Sequence, residues 1–199
     1  MGLGFDVKLG EMNIHTCELV RRWRNTMEGV LRTPFLLTAE MQADFYNKTV
    51  CNRFSNARFW SVNAKAITEI NDTNEKALAA EGGDGRFVGM VGLINIEWEN
   101  SLAEISMLLN PDCHGLGIGD KAFDLLLEKG FDHLNLASIY GECYECNSAI
   151  PFWEKQIDKY KAYKTKLPNK KYYKGEHHDS IYFNFDFVNY LGYKRPVHP

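Results

Sequence analysis

Leu108-Leu109-Asn110-Pro111-Asp112-Cys113-His114-Gly115-Leu116-Gly117-Ile118-Gly119-Asp120-Lys121-Ala122 decides the fold. An apolar run from Ile105 to Leu109 stops at Asn110-Pro111-Asp112, and glycines follow at every second position. Ile118, Ala122, Leu125 and Leu126 then recur at helical spacing. The stretch reads as strand, glycine loop and helix start. Alternating glycines remove side chains, so successive backbone N–H groups can converge on one small volume. The helix N-terminus adds about half a positive charge there. Such a nest suits a phosphate or pyrophosphate. The pattern is neither G-x-G-x-x-G nor a loop ending in Lys-Ser/Thr, and taken alone it fits a plain tight turn equally well.

Upstream, Arg86 to Trp98 is the longest strand candidate. Strict alternation puts Val88, Met90, Ile94 and Ile96 on one face and Phe87, Val91 and Leu93 on the other, with Asn95 and Glu97 continuing the second. Apolar residues on both faces predict a central, doubly covered strand. A turn at Glu99-Asn100-Ser101 leads into Leu102 to Leu109, which should pair antiparallel with it and place Glu104 on one face with Ser106 and Leu108. Downstream, the helix should run to about Gly130. Ser138 to Tyr144 reads as a strand, and Asn147 as the cap of a helix holding Ile150, Phe152 and Trp153, with Pro151 in its first turn. Tyr160 to Lys166 and Ile181 to Phe187 read as the last two strands.

The first part of the chain carries a short strand, Phe5 to Leu9. A helix capped by Asn13 or Thr16 follows, with Leu19, Val20, Trp23 and Met27 on its apolar face. Arg21, Arg22 and Arg24 read as its solvated face. Thr33-Pro34 ends it, and Thr38 precedes a second helix with Met41, Phe45 and Tyr46. Phe59 to Ala66 is a strand. The polar stretch 68–85 reads as a loop or hairpin extension and 188–199 as a C-terminal tail, within one domain over 1–199.

Gly115-Leu116-Gly117-Ile118-Gly119, set between Met107-Leu108-Leu109 and a helix, resembles the acetyl-CoA loop of the GNAT N-acetyltransferases. In that family the loop usually reads Arg/Gln-x-x-Gly-x-Gly/Ala, and His114 stands here where Arg or Gln is usual. The resemblance runs from about Phe5 to Phe187, is most specific over Arg86 to Lys155, and leans toward the ribosomal-protein-alanine and amino-sugar branch.

It implies an α/β (mixed α+β) fold. The central sheet would be mixed and mostly antiparallel, of about seven strands splayed in a V, with helices on both faces. Acetyl-CoA would be the cosubstrate, its phosphates held by His114, Gly115, Leu116, Gly117, Ile118, Gly119 and Asp120. Its pantetheine would lie in the V between Met107, Leu108 and Leu109 on one edge and Gly141 to Tyr144 on the other, near Asn147 and Trp153. The two N-terminal helices and their loop would form one wall of the acceptor cleft.

Amine acetylation also needs the thioester carbonyl polarised, the amine deprotonated and the leaving thiolate protonated. A backbone N–H near Leu108 suits the first need. A carboxylate among apolar neighbours can take a proton near neutrality, so Glu97 and Glu104 are the candidate bases. Family members often carry a tyrosine in the helix after the Asn147-like residue. Trp153 stands near that place and cannot give a proton, which leaves Tyr144 or solvent as the acid.

Composition agrees with an enzyme of this size. Of 199 residues, 45% are hydrophobic, ample for one core. A formal charge of −3 argues against a general nucleic-acid binder, although eight lysines between Lys155 and Lys174, interleaved with Tyr160, Tyr163, Tyr172 and Tyr173, form a local basic stretch. No leader pattern or membrane-length apolar run is evident, and the five scattered cysteines fit a reduced, cytoplasmic setting. Cys143-x-x-Cys146 with His177 and His178 nominally makes a zinc set, but Cys143 lies in a strand pattern and the spacing is far too long; no metal is expected. The partner expected is a small-molecule amine acceptor, with no membrane and no nucleic acid, and an exposed last strand could pair with a second copy.

Overall fold

The computed structural model describes residues 4–27, 29–67 and 85–194. The polar stretch 68–84 and residues 195–199 lie outside the described residues. The elements run β1 (Phe5–Gly10), α1 (Ile14–Thr26), α2 (Ala39–Phe45, continued by a π-turn over Tyr46–Val50), β2 (Arg58–Ala66), β3 (Arg86–Glu97) and β4 (Leu102–Leu109). They continue with α3 (Ile118–Glu128, extended by a π-turn over Lys129–His133), β5 (Ser138–Tyr144), α4 (Ile150–Tyr160), β6 (Tyr163–Tyr173), β7 (Glu176–Asp186) and α5 (Phe187–Lys194).

Local chemistry sets the helix starts. Asn13 and Thr16 close a reciprocal capping box at α1, each side chain accepting the other's backbone N–H at 2.9 Å. Thr38 Oγ1 accepts the Met41 N–H at α2. At α4 the cap is not Asn147: the N-cap position falls on Ala149, and Asn147 instead accepts the Ala149 N–H at 2.9 Å, shaping the turn that leads in.

The seven strands form one sheet in the order β1-β2-β3-β4-β5-β7-β6, as expected of a mixed, mostly antiparallel sheet. Every pairing is antiparallel except β4 with β5. That exception is brief. Only Leu102↔Ser138, Ala103↔Ile139 and Glu104↔Tyr140 pair. Beyond them Ile105–Leu109 stays on β3 and Gly141–Tyr144 stays on β7, so the sheet divides between the two arms.

β3 is central, and its apolar residues bury on both sides. Val91 and Leu93 join the cluster under α3 and α4, while Met90 joins Leu108, Val20 and Cys17 under α1. In the larger cluster Phe123 is fully buried and meets Trp153, Tyr160 and Phe185 edge-on, at ring centroids of 5.6, 6.1 and 5.0 Å. Gly89 allows β4 to pass close by: a Cβ there would stand 2.7 Å from the Leu108 carbonyl oxygen.

Strand β6 begins at Tyr163 rather than at Tyr160, which ends α4, and runs on to Tyr173 rather than stopping at Lys166. Two further features differ from the sequence expectation. Strict alternation placed Glu97 on the face of Val91 and Leu93. A β-bulge between Ile94 and Glu97, with Asn95 at φ 49°, puts an extra residue into β3, so Glu97 pairs with Leu102 on the α1/α2 side and Ile96 turns into the core. The expected tail from residue 188 begins instead as helix α5. Tyr190 is buried at 2% exposure, its hydroxyl donates to Asp132 at 2.7 Å, and Lys194 pairs with Asp132 and Glu128. The signal was the spacing of Phe187, Tyr190 and Tyr193, one helix face.

Candidate active site

The glycine loop stands at the open end of the β4 arm. Gly115 and Gly117 take positive φ, 78° and 75°, the left-handed region that suits glycine. A Cβ at either would meet nothing within 4 Å, so the space in front of both is clear. Gly117 is the N-cap of α3 and offers no side-chain cap, leaving the first-turn N–H groups of α3 without a side-chain partner there. His114 is exposed, Leu116 half-buried, and Ile118 fully buried, pinning the helix start to the core. Gly119 sits near Phe152. The side chain of Asp120 is engaged elsewhere: it pairs with Lys155 at 2.7 Å and accepts from Gln156 Nε2, tying α3 to α4, so only its backbone remains for a ligand.

On the β4 arm, Met107 and Leu109 lean on the α3/α4 core and Leu108 on the α1 side. Their backbone edge toward β5 has no strand partner. Asn147 stands beyond the β5 arm, and its Nδ2 reaches the Val30 carbonyl at 3.5 Å. Trp153, expected at the cofactor, is stacked on Phe183 at 4.7 Å and packed edge-on against Phe123 and Phe152. Its contacts are those of a core residue.

The polar groups gather on the other face of the sheet, toward α1 and α2, where the arms part. Glu104 is the last β4 residue paired with β5 and is 6% exposed. Its Oε2 accepts from Asn95 Nδ2 at 2.9 Å, and its Oε1 meets the Arg32 guanidinium. Glu142, on the β5 arm of the same face, accepts from Ser180 Oγ at 2.6 Å and from Arg32 at 3.4 Å. Tyr140, Tyr144 and Tyr182 complete the face. Burial pushes all three phenols above their ordinary range; the next cause is the charge of Glu104 at Tyr140 and Tyr182 and of Glu142 at Tyr144. Each phenol keeps its proton in neutral solution. Glu97, one register pair below the parting, is exposed and accepts from Asn100 Nδ2 at 2.7 Å.

A hollow of about 240 Å³ opens beside Glu104 between α1, the π-turn and β3, lined by Arg24, Phe45, Phe59, Met90, Asn95 and Ser106. Burial lowers the Arg24 pKa from its usual value, and its guanidinium donates to Thr33 Oγ1 at 2.8 Å. Arg21 bonds Glu18 and the Leu37 carbonyl. Of the three arginines read as a solvated face, only Arg22 is one. Sequence reasoning thus missed Arg24, Arg32 and Glu142, whose roles arise only from contacts across the fold.

Among the described residues no group of three or more His, Cys, Asp or Glu could hold a metal ion. Cys143 is buried and its thiol is pushed up to about 12 by that burial, so it stays protonated in neutral solution.

Comparison with known proteins agrees with this architecture. Spermidine N(1)-acetyltransferase of Escherichia coli (strain K12) is 32% identical over 71 residues, 36% of this chain and 38% of that enzyme. The match therefore spans well under half the length of that relative. The crystal structure of spermidine N-acetyltransferase from Vibrio cholerae, in complex with CoA and spermine, superposes with a TM-score of 0.73 over 93% of this chain and 98% of that one, at 17% identity. At that identity the likeness speaks for the fold alone. The profile of the family described as "Acetyltransferase (GNAT) domain" matches residues 12–150. A glycine loop at the parting of two parallel strands, and a family match over most of the chain, lead to one conclusion: this protein belongs to the GNAT acetyltransferase family.

Proposed function

We propose that the chain is an acetyl-CoA-dependent N-acetyltransferase acting on a primary amine, with a polyamine of the spermidine kind as first candidate acceptor and an amino sugar or nucleotide-linked amino sugar as second. The observation that carries this reading is the division of β4 from β5 after Glu104↔Tyr140, with an uncapped glycine loop and helix start at the end of one arm. A pyrophosphate fits the loop. A pantetheine chain fits the gap, where strand backbone lacks a partner.

The acyl group would then lie near the parting, with the β4 backbone near Leu108 as donor to the thioester oxygen. The amine attacks the thioester carbonyl carbon and the C–S bond breaks. One proton leaves the amine and one reaches the departing sulfur. Of the two candidate bases Glu104 is better placed, being buried at the parting, while Glu97 lies lower and faces solvent. Tyr144, protonated and on the same face, is the candidate acid. The polyamine preference rests on the relatives' acceptors and on the acidic face that Glu104 and Glu142 make here.

The test is an acetylation panel, spermidine, a diamine and amino sugars, followed by product mass. Spermidine should be acetylated. Glu104→Gln should lower kcat about 100-fold, the low end of what a proton-transfer group supplies, and Glu97→Gln less. Equal losses from both substitutions would remove Glu104 as base; an inert panel in wild type would reject the activity.

A further inference from the structure

The segment between α1 and α2 lies across the parted strands like a strap. Its Leu31 carbonyl accepts from Lys171 of β6 at 2.7 Å, its Val30 carbonyl faces Asn147, and Leu37 is tied back to Asn25 of α1 at both its N–H and its carbonyl. Gly29, at φ 88°, passes so close to the Tyr173 ring that no side chain would fit. From this strap Arg32 reaches down to the parting. One terminal nitrogen meets Glu104 of β4 and the other meets Glu142 of β5. Its charge also acts on the nearby Tyr144 phenol, opposing the rise that burial causes.

Both carboxylates hold their places without Arg32. Asn95, turned by the bulge, fixes one oxygen of Glu104, and Ser180, fully buried, fixes one oxygen of Glu142. Each carboxylate aims its remaining oxygen at the same point. Glu104 and Glu142 side chains are 8% and 15% exposed, whereas Arg32 is 48% exposed. The anions are built into the sheet, and the cation is half-exposed and comes from a loop.

We propose that Glu104 and Glu142 form an ammonium subsite at the parting of β4 and β5, and that Arg32 is an internal stand-in which a cationic acceptor must displace. Two sheltered carboxylates converging on one point repel each other unless a cation lies between them. Arg32 serves when the site is empty and the acceptor's ammonium when it is full. Because Arg32 is tethered, it competes at high effective concentration, so the apparent affinity for an amine is scaled down to the fraction of time Arg32 is unseated. Neutral or anionic acceptors gain nothing by evicting it. Arg32 thereby selects for cationic acceptors. This rests on the acetyltransferase reading only for the name of the occupant.

The test is calorimetric titration of spermidine, without acetyl-CoA, into wild type, Arg32→Gln and the double variant Arg32→Gln/Glu142→Gln. Arg32→Gln should bind spermidine about tenfold more tightly than wild type, and the added Glu142→Gln should abolish the gain. Equal or weaker binding by Arg32→Gln would overturn the proposal and make Arg32 a simple clasp. Should Arg32→Gln prove too unstable to titrate, its unfolding temperature supplies the answer: spermidine should raise it more than it raises that of wild type, and an equal or smaller rise overturns the proposal. Since acetyl-CoA is absent, failure here leaves the acetyltransferase reading standing, and that reading falls separately if wild type does not bind acetyl-CoA.

Discussion

Tyr144 ends the β5 arm with its phenol half-buried beside Arg32 and the Lys171 ammonium 5.4 Å from its ring centroid. Burial raises its pKa above the usual 10, which fixes the direction of its pH behaviour. An acid must be protonated to act, and a raised pKa extends the protonated range upward. Activity carried by Tyr144 should therefore persist to above pH 10. Tyr144→Phe should lower kcat roughly 100-fold without moving the acidic limb of the profile, a result read from kcat against pH. An alkaline decline below pH 9 that vanishes in Tyr144→Phe would contradict the raised phenol. At this scale the sequence was legible where alternation governs, as for Glu104 sharing a face with Ser106 and Leu108. It was silent on Arg32 and Glu142, 110 residues apart, which meet only because the α1–α2 strap crosses β5. No local periodicity records such a meeting.

Elements bounded by turn chemistry or plain period emerged from the sequence with little change. β7 alternates Ile181, Phe183 and Phe185 against Tyr182, Asn184 and Asp186, but it starts five residues earlier than expected and ends one earlier, since Phe187 begins α5. The π-turns that extend α2 and α3, and the bulge in β3, carry no such signal, because each is imposed by packing rather than by local preference. Helix α5 was hidden by its shortness: eight residues give a weak period, and its stability is tertiary. It closes the core below Phe131, with Tyr190 and Phe131 ring centroids 4.8 Å apart. Burial pushes the Tyr190 phenol up to about 12, consistent with a sealed position. Tyr190→Ala should cost about 3 kcal/mol or more, as large-to-small aromatic changes in cores do, measured by urea unfolding. A loss below about 0.5 kcal/mol, typical of surface substitutions, would show α5 to be dispensable.

Across the whole molecule, four of the eight lysines in the lysine-rich stretch are neutralised from within. Lys155 pairs with Asp120, Lys159 with Asp124, Lys164 with Glu154, and Lys166 with Glu145 and Asp179. These pairs join α3, α4, β6 and β7 rather than building a surface for phosphates, and exposed pairs of this kind add little stability individually. The charge that the proposed function would use is gathered at the strand parting instead, with glycine-loop amides at the end of one arm and paired carboxylates on the face opposite α3 and α4. The proposed function requires that the gap between β4 and β5 and the loop beside it form an acetyl-CoA slot. Calorimetric titration of acetyl-CoA into wild type and Gly117→Trp tests it directly. Wild type should bind saturably and one-to-one, and Gly117→Trp, whose ring would fill the clear space before the loop, should lose that binding. Absence of binding by wild type, or equal binding by a folded Gly117→Trp, would contradict it.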